Sequence, residues 1–262
     1  NRGVPPVLCF RCRNTKADLM PDRAIPVNVG WRNCSAQASL AFFPPEPLSG
    51  ADAELAAPMQ KALGARILQV RCPYNLRLRR SPPGMRPAGF KRIPEEGGLS
   101  QVGMKGLVTP IAQSALRDPE VPALQLSLNL MLVTEEECAL NLTSPFFAPS
   151  FRDWPGTLVS GRFPLRSWPR PLNAVLEWQT HDDWVLRRGD PMAYIWLHFD
   201  DPDKVPNVVE ATLTPALKRH FASVDNVSTF ARNVRPMFEQ AAERRPARLL
   251  VPKELGCPEF TD

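Results

Sequence analysis

The chain is expected to fold as a mainly β protein, a jelly-roll-like barrel or sandwich with a short C-terminal helical segment and proline-rich arms. Three observations point there. Thirty of its 262 residues are proline, more than twice the usual share of about 5%. Proline lacks a backbone N–H and fixes φ, so it suits short strands, edges and ordered loops and works against long helices. Leu124, Leu126, Leu128 and Leu130 alternate with Gln125, Ser127 and Asn129, the period-two pattern of a strand with one buried face. Residues 155–197 read as successive short strands ending in an Arg-Gly-Asp-Pro turn.

In chain order, residues 7–12, 25–31, 39–43 and 66–72 are short apolar runs separated by Pro, Asn and Gly, the punctuation of strands and turns. Residues 51–63 carry Ala, Glu, Leu, Met and Lys without Gly, but Pro58 interrupts them, so only a short helix or turn is expected. Residues 81–98 form a loop by composition, with PPGMRP and PEEGG. The strand at 123–134 is followed by Glu135-Glu136-Glu137 and an apolar run at 139–143, which predicts a hairpin closed by a solvated polar turn.

After a further strand at 206–213, Thr214-Pro215 is an N-cap with proline at the first helical position, and residues 216–222 continue that helix. Val227, Phe230, Ala231, Val234, Met237 and Phe238 recur at helical spacing, a stripe to lie against the β core, with Pro236 kinking or dividing it. The expected organisation is a β-rich core over 1–213 including the loop 81–98, a helical segment over 214–243, and an extended tail over 244–262 lying on the surface or on a partner.

The 32 basic and 27 acidic residues, net +5, are spread along the chain, which argues against a nucleic-acid footprint. The densest basic run, Arg77, Arg79, Arg80, Arg86, Lys91 and Arg92, reads as a solubilising loop rather than a phosphate site. No run of 18 apolar residues exists and the N-terminus lacks a signal-peptide pattern, so a soluble protein without a membrane partner is expected. Six cysteines are too sparse for a disulfide scaffold and read as reduced. Cys9 and Cys12 have zinc-like spacing, but a tetrahedral site would need Cys34 and Cys72 as a second pair. No Gly-x-Ser-x-Gly elbow, phosphate-binding Gly-rich loop or His-Glu-x-x-His helix is present. The expectation is no cofactor and no resident metal.

Five tryptophans, Trp154, Trp168, Trp178, Trp184 and Trp196, fall within one 43-residue window beside several arginines. Packing is the favoured reading, since strands accept tryptophan and each buries a large area. Trp168, Arg170, Arg188 and Asp190 are the candidate binding residues, because an aromatic beside a guanidinium can hold a flat ligand. His198-Phe199-Asp200 matches the His-x-Asp pair of iron oxygenases, in which alternate strand residues share a metal. A third ligand is then required, and the only later histidine is His220.

Gly156-Thr157-Leu158, the segment 171–178, the turn through His181-Asp182-Asp183 and the run Arg187-Arg188-Gly189-Asp190-Pro191-Met192-Ala193-Tyr194 resemble the later half of the deoxyuridine triphosphatase barrel, the β-clip architecture. Gly189 there permits a φ above zero and Asp190 can accept backbone N–H bonds to lock the turn. The chain departs from that family where its turn aspartate would stand, at Val159, and where its Tyr-Arg-Gly would stand, at Arg162-Phe163-Pro164. The glycine-rich C-terminal phosphate arm is absent as well, so the resemblance implies the fold and argues against the enzyme.

Residues 147–197, with a Phe-Pro-rich lead-in, a Pro-Gly-Thr turn, Ser167-Trp168-Pro169-Arg170-Pro171 and the final Arg-Gly-Asp-Pro turn, also resemble uncharacterised proteins of tailed, especially marine, bacteriophages and of some bacteria. That resemblance implies a β-rich phage-type protein located in the virion or the cytoplasm of an infected bacterial cell. The expected function is non-enzymatic: a structural or interaction protein whose arms and strand edges dock protein subunits, its own or others, by β-pairing. The alternatives are a nucleotide-binding or hydrolysing enzyme of the triphosphatase-like barrel and, more weakly, an iron-dependent oxygenase using His198 and Asp200.

Overall fold

The alternating leucines behave as their period predicts, and Leu124, Leu126, Leu128, Leu130 and Leu132 are all buried in the main core. The computed structural model describes residues 24–34, 43–81, 90–94, 98, 107–168, 171–225 and 235–253. The strand that carries the leucines, β7 (Ala123–Thr134), lies inside a six-stranded sheet. Its order is β14 (Lys204–Glu210), β1 (Ile25–Asn33), β7, β11 (Pro171–Trp178) and β9 (Gly156–Val159), with β6 (Val108–Pro110) also paired to β7. All pairs are antiparallel except β1 with β14, which is parallel from Ile25↔Lys204 to Trp31↔Glu210.

A five-stranded sheet faces it, ordered β10 (Gly161–Pro164), β8 (Cys138–Thr143), β13 (Pro191–Phe199), β3 (Ala65–Arg71) and β2 (Glu46–Pro47). A three-stranded sheet of β12 (Trp184–Leu186), β4 (Leu76–Arg80) and β5 (Phe90–Arg92) completes the β structure. Leu140, Leu142, Ile195 and Leu197 from the second sheet share one buried core with the β7 leucines and with Leu172, Ala174 and Leu176 of β11. The protein is therefore mainly β, a β-rich barrel or sandwich built from three sheets with a few short helices. No helix among the described residues is long and apolar enough to cross a membrane.

Several expectations need correction. β7 and β8 do not form a hairpin: β7 pairs with β1, β6 and β11, whereas β8 pairs with β13 and β10. Glu135–Glu137 is a crossover from one sheet to the other. The reason is core volume, since leucines of both strands face each other across the interior and cannot do so as neighbours in one sheet. The crossover is also not simply solvated. Its three carboxylates diverge to separate cations: Glu136 to Lys204 at 2.7 Å, Glu137 to Arg166, and Glu135 to Arg245.

Residues 50–63 form one continuous helix, α1 (Gly50–Leu63), despite Pro58. Both Pro58 and Glu54, whose carbonyl it leaves without a helical partner, face solvent, so water can satisfy that oxygen. The helix stops at Gly64, at φ +57°, and Gln60 Oε1 accepts the Ile67 N–H at 2.9 Å. Its inner face sets Ala56 against Ala65, Ile67, Tyr194 and Trp196 on the outer side of the second sheet.

The Thr214 cap is present, its Oγ1 accepting the Leu217 N–H at 3.1 Å at the start of α2 (Pro215–Asp225). Pro236 lies in the first turn of α3 (Arg235–Arg244) and does not kink it, because the first turn needs no N–H from that position. The 7–12 run with Cys9 and Cys12, most of 39–43 and 81–98, residues 226–234 of the apolar stripe, Arg170, and the end of the tail lie outside the described residues.

Candidate functional site

The Arg-Gly-Asp turn between β12 and β13 is built as its residues require. Gly189 sits at φ +92°, a conformation that side chains rarely adopt. Asp190 Oδ2 accepts the Arg187 N–H at 2.8 Å, and Asp190 N–H donates to the Arg187 carbonyl at 3.0 Å. The turn is clamped onto Cys72 by Gly189 N–H to the Cys72 carbonyl and Cys72 N–H to the Asp190 carbonyl, both 2.8 Å. Asp190 is thus engaged in holding the backbone. Arg188 projects outward, its guanidinium 5.9 Å from the centre of the Phe43 ring, and its N–H donates to Asn75 Oδ1 at 2.9 Å.

Beside this turn the two sheets part where β7 bulges. Its register against β11 jumps between Ser127↔Asn173 and Met131↔Pro171, and Asn129 at φ +52° takes up the extra chain, with its carbonyl accepting Cys34 N–H at 2.8 Å. Two adjoining clefts flank the bulge and share Pro73, Leu128 and Met192. Their cavity volumes, about 30 and 20 Å³, hold a water or two each. Cys72, on the wall of the larger cleft, is no nucleophile in this setting, because burial pushes its thiol up to about 12.

On the outer face of β12 and β4, Arg79 grips Asp183 through two nitrogens at 2.7 and 2.9 Å and Arg77 adds a third bond at 2.9 Å. The Arg79 fork first, and Arg77 with it, hold the Asp183 carboxyl down to about 2 against the opposing push of burial. A carboxylate depressed below its unfolded value near 3.9 stabilises the fold above that pH and loses its contribution as pH falls toward 2. Asp183→Asn is therefore expected to lower stability by about 1 kcal/mol at pH 7, since its guanidinium partners are open to screening by solvent, and to flatten the wild-type decline below pH 4. Urea titrations from pH 2 to 7 check both, and equal slopes for the two proteins would contradict it.

The other predicted site residues are scattered. Trp168 is 2% exposed and packs on Ala241 and Met237 of α3, so its ring is a core element and not an open platform beside Arg188. All five tryptophans of that window are at most 8% exposed. His198 lies on the outer face of the second sheet, where its Nε2 accepts from Asn141 Nδ2 at 3.0 Å. Burial first, and Arg162 with it, push its pKa down. Asp200 sits in an exposed bend past the strand end, and His220 is buried on α2. Among the described residues no three His, Cys, Asp or Glu side chains are gathered to hold a metal.

Two features escape sequence reasoning. Leu55, Met59 and Leu63 are 61%, 39% and 55% exposed, an i, i+4, i+8 stripe on the outer side of α1 whose spacing was readable once a helix through Pro58 was admitted. Phe146, 40% exposed, stacks on Trp196 at 5.9 Å and meets Tyr194 edge-on on the same sheet face that α1 covers.

The second feature is a clasp formed by residues 245–253. Glu135 Oε1 accepts the Leu249 and Leu250 N–H groups at 2.6 and 2.7 Å, and Oε2 takes Arg245 Nη2. Burial raises the Glu135 pKa, and the Arg245 bond and the two backbone donors more than reverse that, leaving it lowered. Leu249 and Leu250 fill an apolar pocket with Met131, Val133, Ala211 and Leu217. Thr212 N–H to the Val251 carbonyl and Lys253 N–H to the Glu210 carbonyl, each 2.7 Å, finish the clasp.

Fold and site together describe a mainly β protein whose Arg-Gly-Asp turn is committed to holding its own backbone. No family model, curated protein or solved structure matches the chain.

Proposed function

We propose that the chain is a non-enzymatic structural or interaction protein, a subunit that docks protein neighbours in a larger assembly. The observation that carries this reading is the apolar stripe Leu55, Met59 and Leu63 on α1. A helix normally turns such residues to its core, and here Ala56 alone of the helix is fully buried. Large apolar side chains aligned on one exposed helix face are what partner surfaces are made from. A phage-particle setting rests on the resemblance of residues 147–197 described above. The nucleotide reading draws on the two matching turns, of which the second is committed to holding its own backbone through Asp190.

The test is native mass with partners retained, for wild type and for the triple variant Leu55→Lys, Met59→Lys, Leu63→Lys. A large wild-type assembly that the variant lacks, with thermal stability changed by no more than about 0.5 kcal/mol per surface site, is the expected result. A wild-type chain that stays monomeric at high concentration and joins no particle would remove the proposal. Stabilisation by nucleotide and magnesium with pyrophosphate release would replace it with the enzyme reading.

A further inference from the structure

The clasp is a linear segment seated in a groove built from distant parts of the chain: the outer face of β1 and β7, the crossover after β7 and the residues after β14. At its centre Gly30 lies inside β1, between Val133 of β7 and Val209 of β14. Glycine weakens a strand interior and marks a close approach, and here a Cβ would stand 2.2 Å from Leu250 Cδ1. The sheet is notched for that leucine. Beside the notch Glu135 receives the Leu249 and Leu250 N–H groups on Oε1 and Arg245 on Oε2, and Arg245 also donates to the Arg166 and Thr134 carbonyls at 2.8 and 3.3 Å. At the far end the segment begins an antiparallel pairing, with Pro252 opposite Ala211, and Lys253 Nζ meets Glu210 Oε1 at 2.9 Å.

Apolar anchors in a pocket, backbone N–H groups on a fixed acceptor and strand pairing at an edge are the means by which folded domains take short peptides. The segment is itself neither helix nor strand. It leaves α3 at a long bond, Arg245 N–H to the Ala242 carbonyl at 3.3 Å, followed by Pro246, which cannot extend the helix. We propose that the groove is a recognition site for an Arg-x3-Leu-Leu-x-Pro segment and that a second copy of the chain supplies it, so that two subunits exchange residues 245–253. Each contact made within one chain is reproduced between two, so the exchange gives up no contact and closes as a symmetric pair. It gains on the chain's own segment as concentration rises toward the effective concentration of that segment. The groove is separate from the α1 stripe, and the exchange does not depend on that stripe.

Isotope-mixed cross-linking of the full chain tests this. Unlabelled and isotope-labelled chains are refolded together at high concentration and treated with a carbodiimide, which joins the Lys253 amine to the Glu210 carboxylate it pairs with. Complete exchange gives Glu210–Lys253 links of which about half carry both isotopes, the share for random pairing of two copies, and that share falls on dilution. Links within one isotope alone overturn the proposal, as do mixed links spread over other amine–carboxylate pairs without preference for Glu210–Lys253, which mark random encounter. A second arm mixes Glu135→Gln, whose groove is weakened, with Leu249→Ala, Leu250→Ala, whose segment is weakened. Mixed links from Lys253 of the first to Glu210 of the second are expected to exceed the reverse direction about tenfold, and equal numbers in both directions overturn the proposal. Should either variant fail to fold, the wild-type pattern decides alone. The triple α1 variant is expected to give the wild-type share, so failure of the α1 interface and failure of the exchange are read separately.

Discussion

Truncation of Trp184 to alanine is expected to cost about 3–5 kcal/mol, the range for a large aromatic removed from a closed core. Trp184 is 0% exposed and begins β12 opposite Leu78. Its ring meets Trp154 edge to face, centroids 5.0 Å apart at 69°, and Trp154 in turn meets Phe151 at 5.3 Å. This row of rings joins the small three-stranded sheet to the main core, so a cavity there has aromatic walls that cannot collapse without moving a second sheet. Trp184→Phe should retain more than half of the lost stability, since the edge-to-face contact with Trp154 survives. Urea denaturation at constant m-value checks the pair, and a loss below about 1 kcal/mol for the alanine variant would show that the row is not load-carrying for stability.

Gly156→Ala should destabilise by about 3 kcal/mol although it adds a single methyl, at the upper end for overpacking. A Cβ at residue 156 would stand 1.8 Å from the Glu177 carbonyl oxygen and 3.2 Å from Trp178 Cα. Those are backbone atoms of the neighbouring strand, so no side-chain rotation can relieve the clash. Residue 156 opens β9, which pairs with β11 from Trp178↔Gly156 to Val175↔Val159, and the expected damage is loss of that edge pairing with the rest of the sheet kept. Exchange of the Val175 and Glu177 amides, which alternate with the Trp178 N–H bonded to the Pro122 carbonyl and so face β9, should accelerate before that of Val29, and a variant as stable as wild type would contradict the close approach. Gly30 has a different constraint: a Cβ there would meet Leu250 Cδ1 at 2.2 Å, the far end of a side chain in the clasp.

What could be read in the residues was local. The period of β7, the extent of β11, the Gly189 and Asp190 turn and the Thr214 cap each depend on neighbours within a few positions, and each stands where the pattern placed it. Errors arose where a distant surface decides. Whether Glu135–Glu137 closes a hairpin or crosses between sheets depends on which strands β7 and β8 find, and nothing in the three glutamates records that choice. Pro58 reads as a helix breaker in sequence because its orientation to solvent is a tertiary fact. Asn129 looked like one more outward polar residue, whereas it absorbs a bulge that only the β11 register reveals. Of the candidate site, the turn was legible, but Trp168 was not separable from it by sequence, and the partners of Glu135 lie more than a hundred residues away.

The parallel pairing of β1 with β14 has a consequence for how the protein is made. Residues 25–33 are held between partners at 130–134 and 204–210, so this strand meets neither of these neighbours until about a hundred further residues have been made, and its parallel partner only about seventy after that. During synthesis Val27, Val29 and Trp31 must wait with both edges open, and such a strand is a template for wrong pairing. Closure over so long a loop is intrinsically slow. The sheet is therefore expected to form after translation, and chaperone demand during expression should fall if β1 is relocated by circular permutation to follow β14.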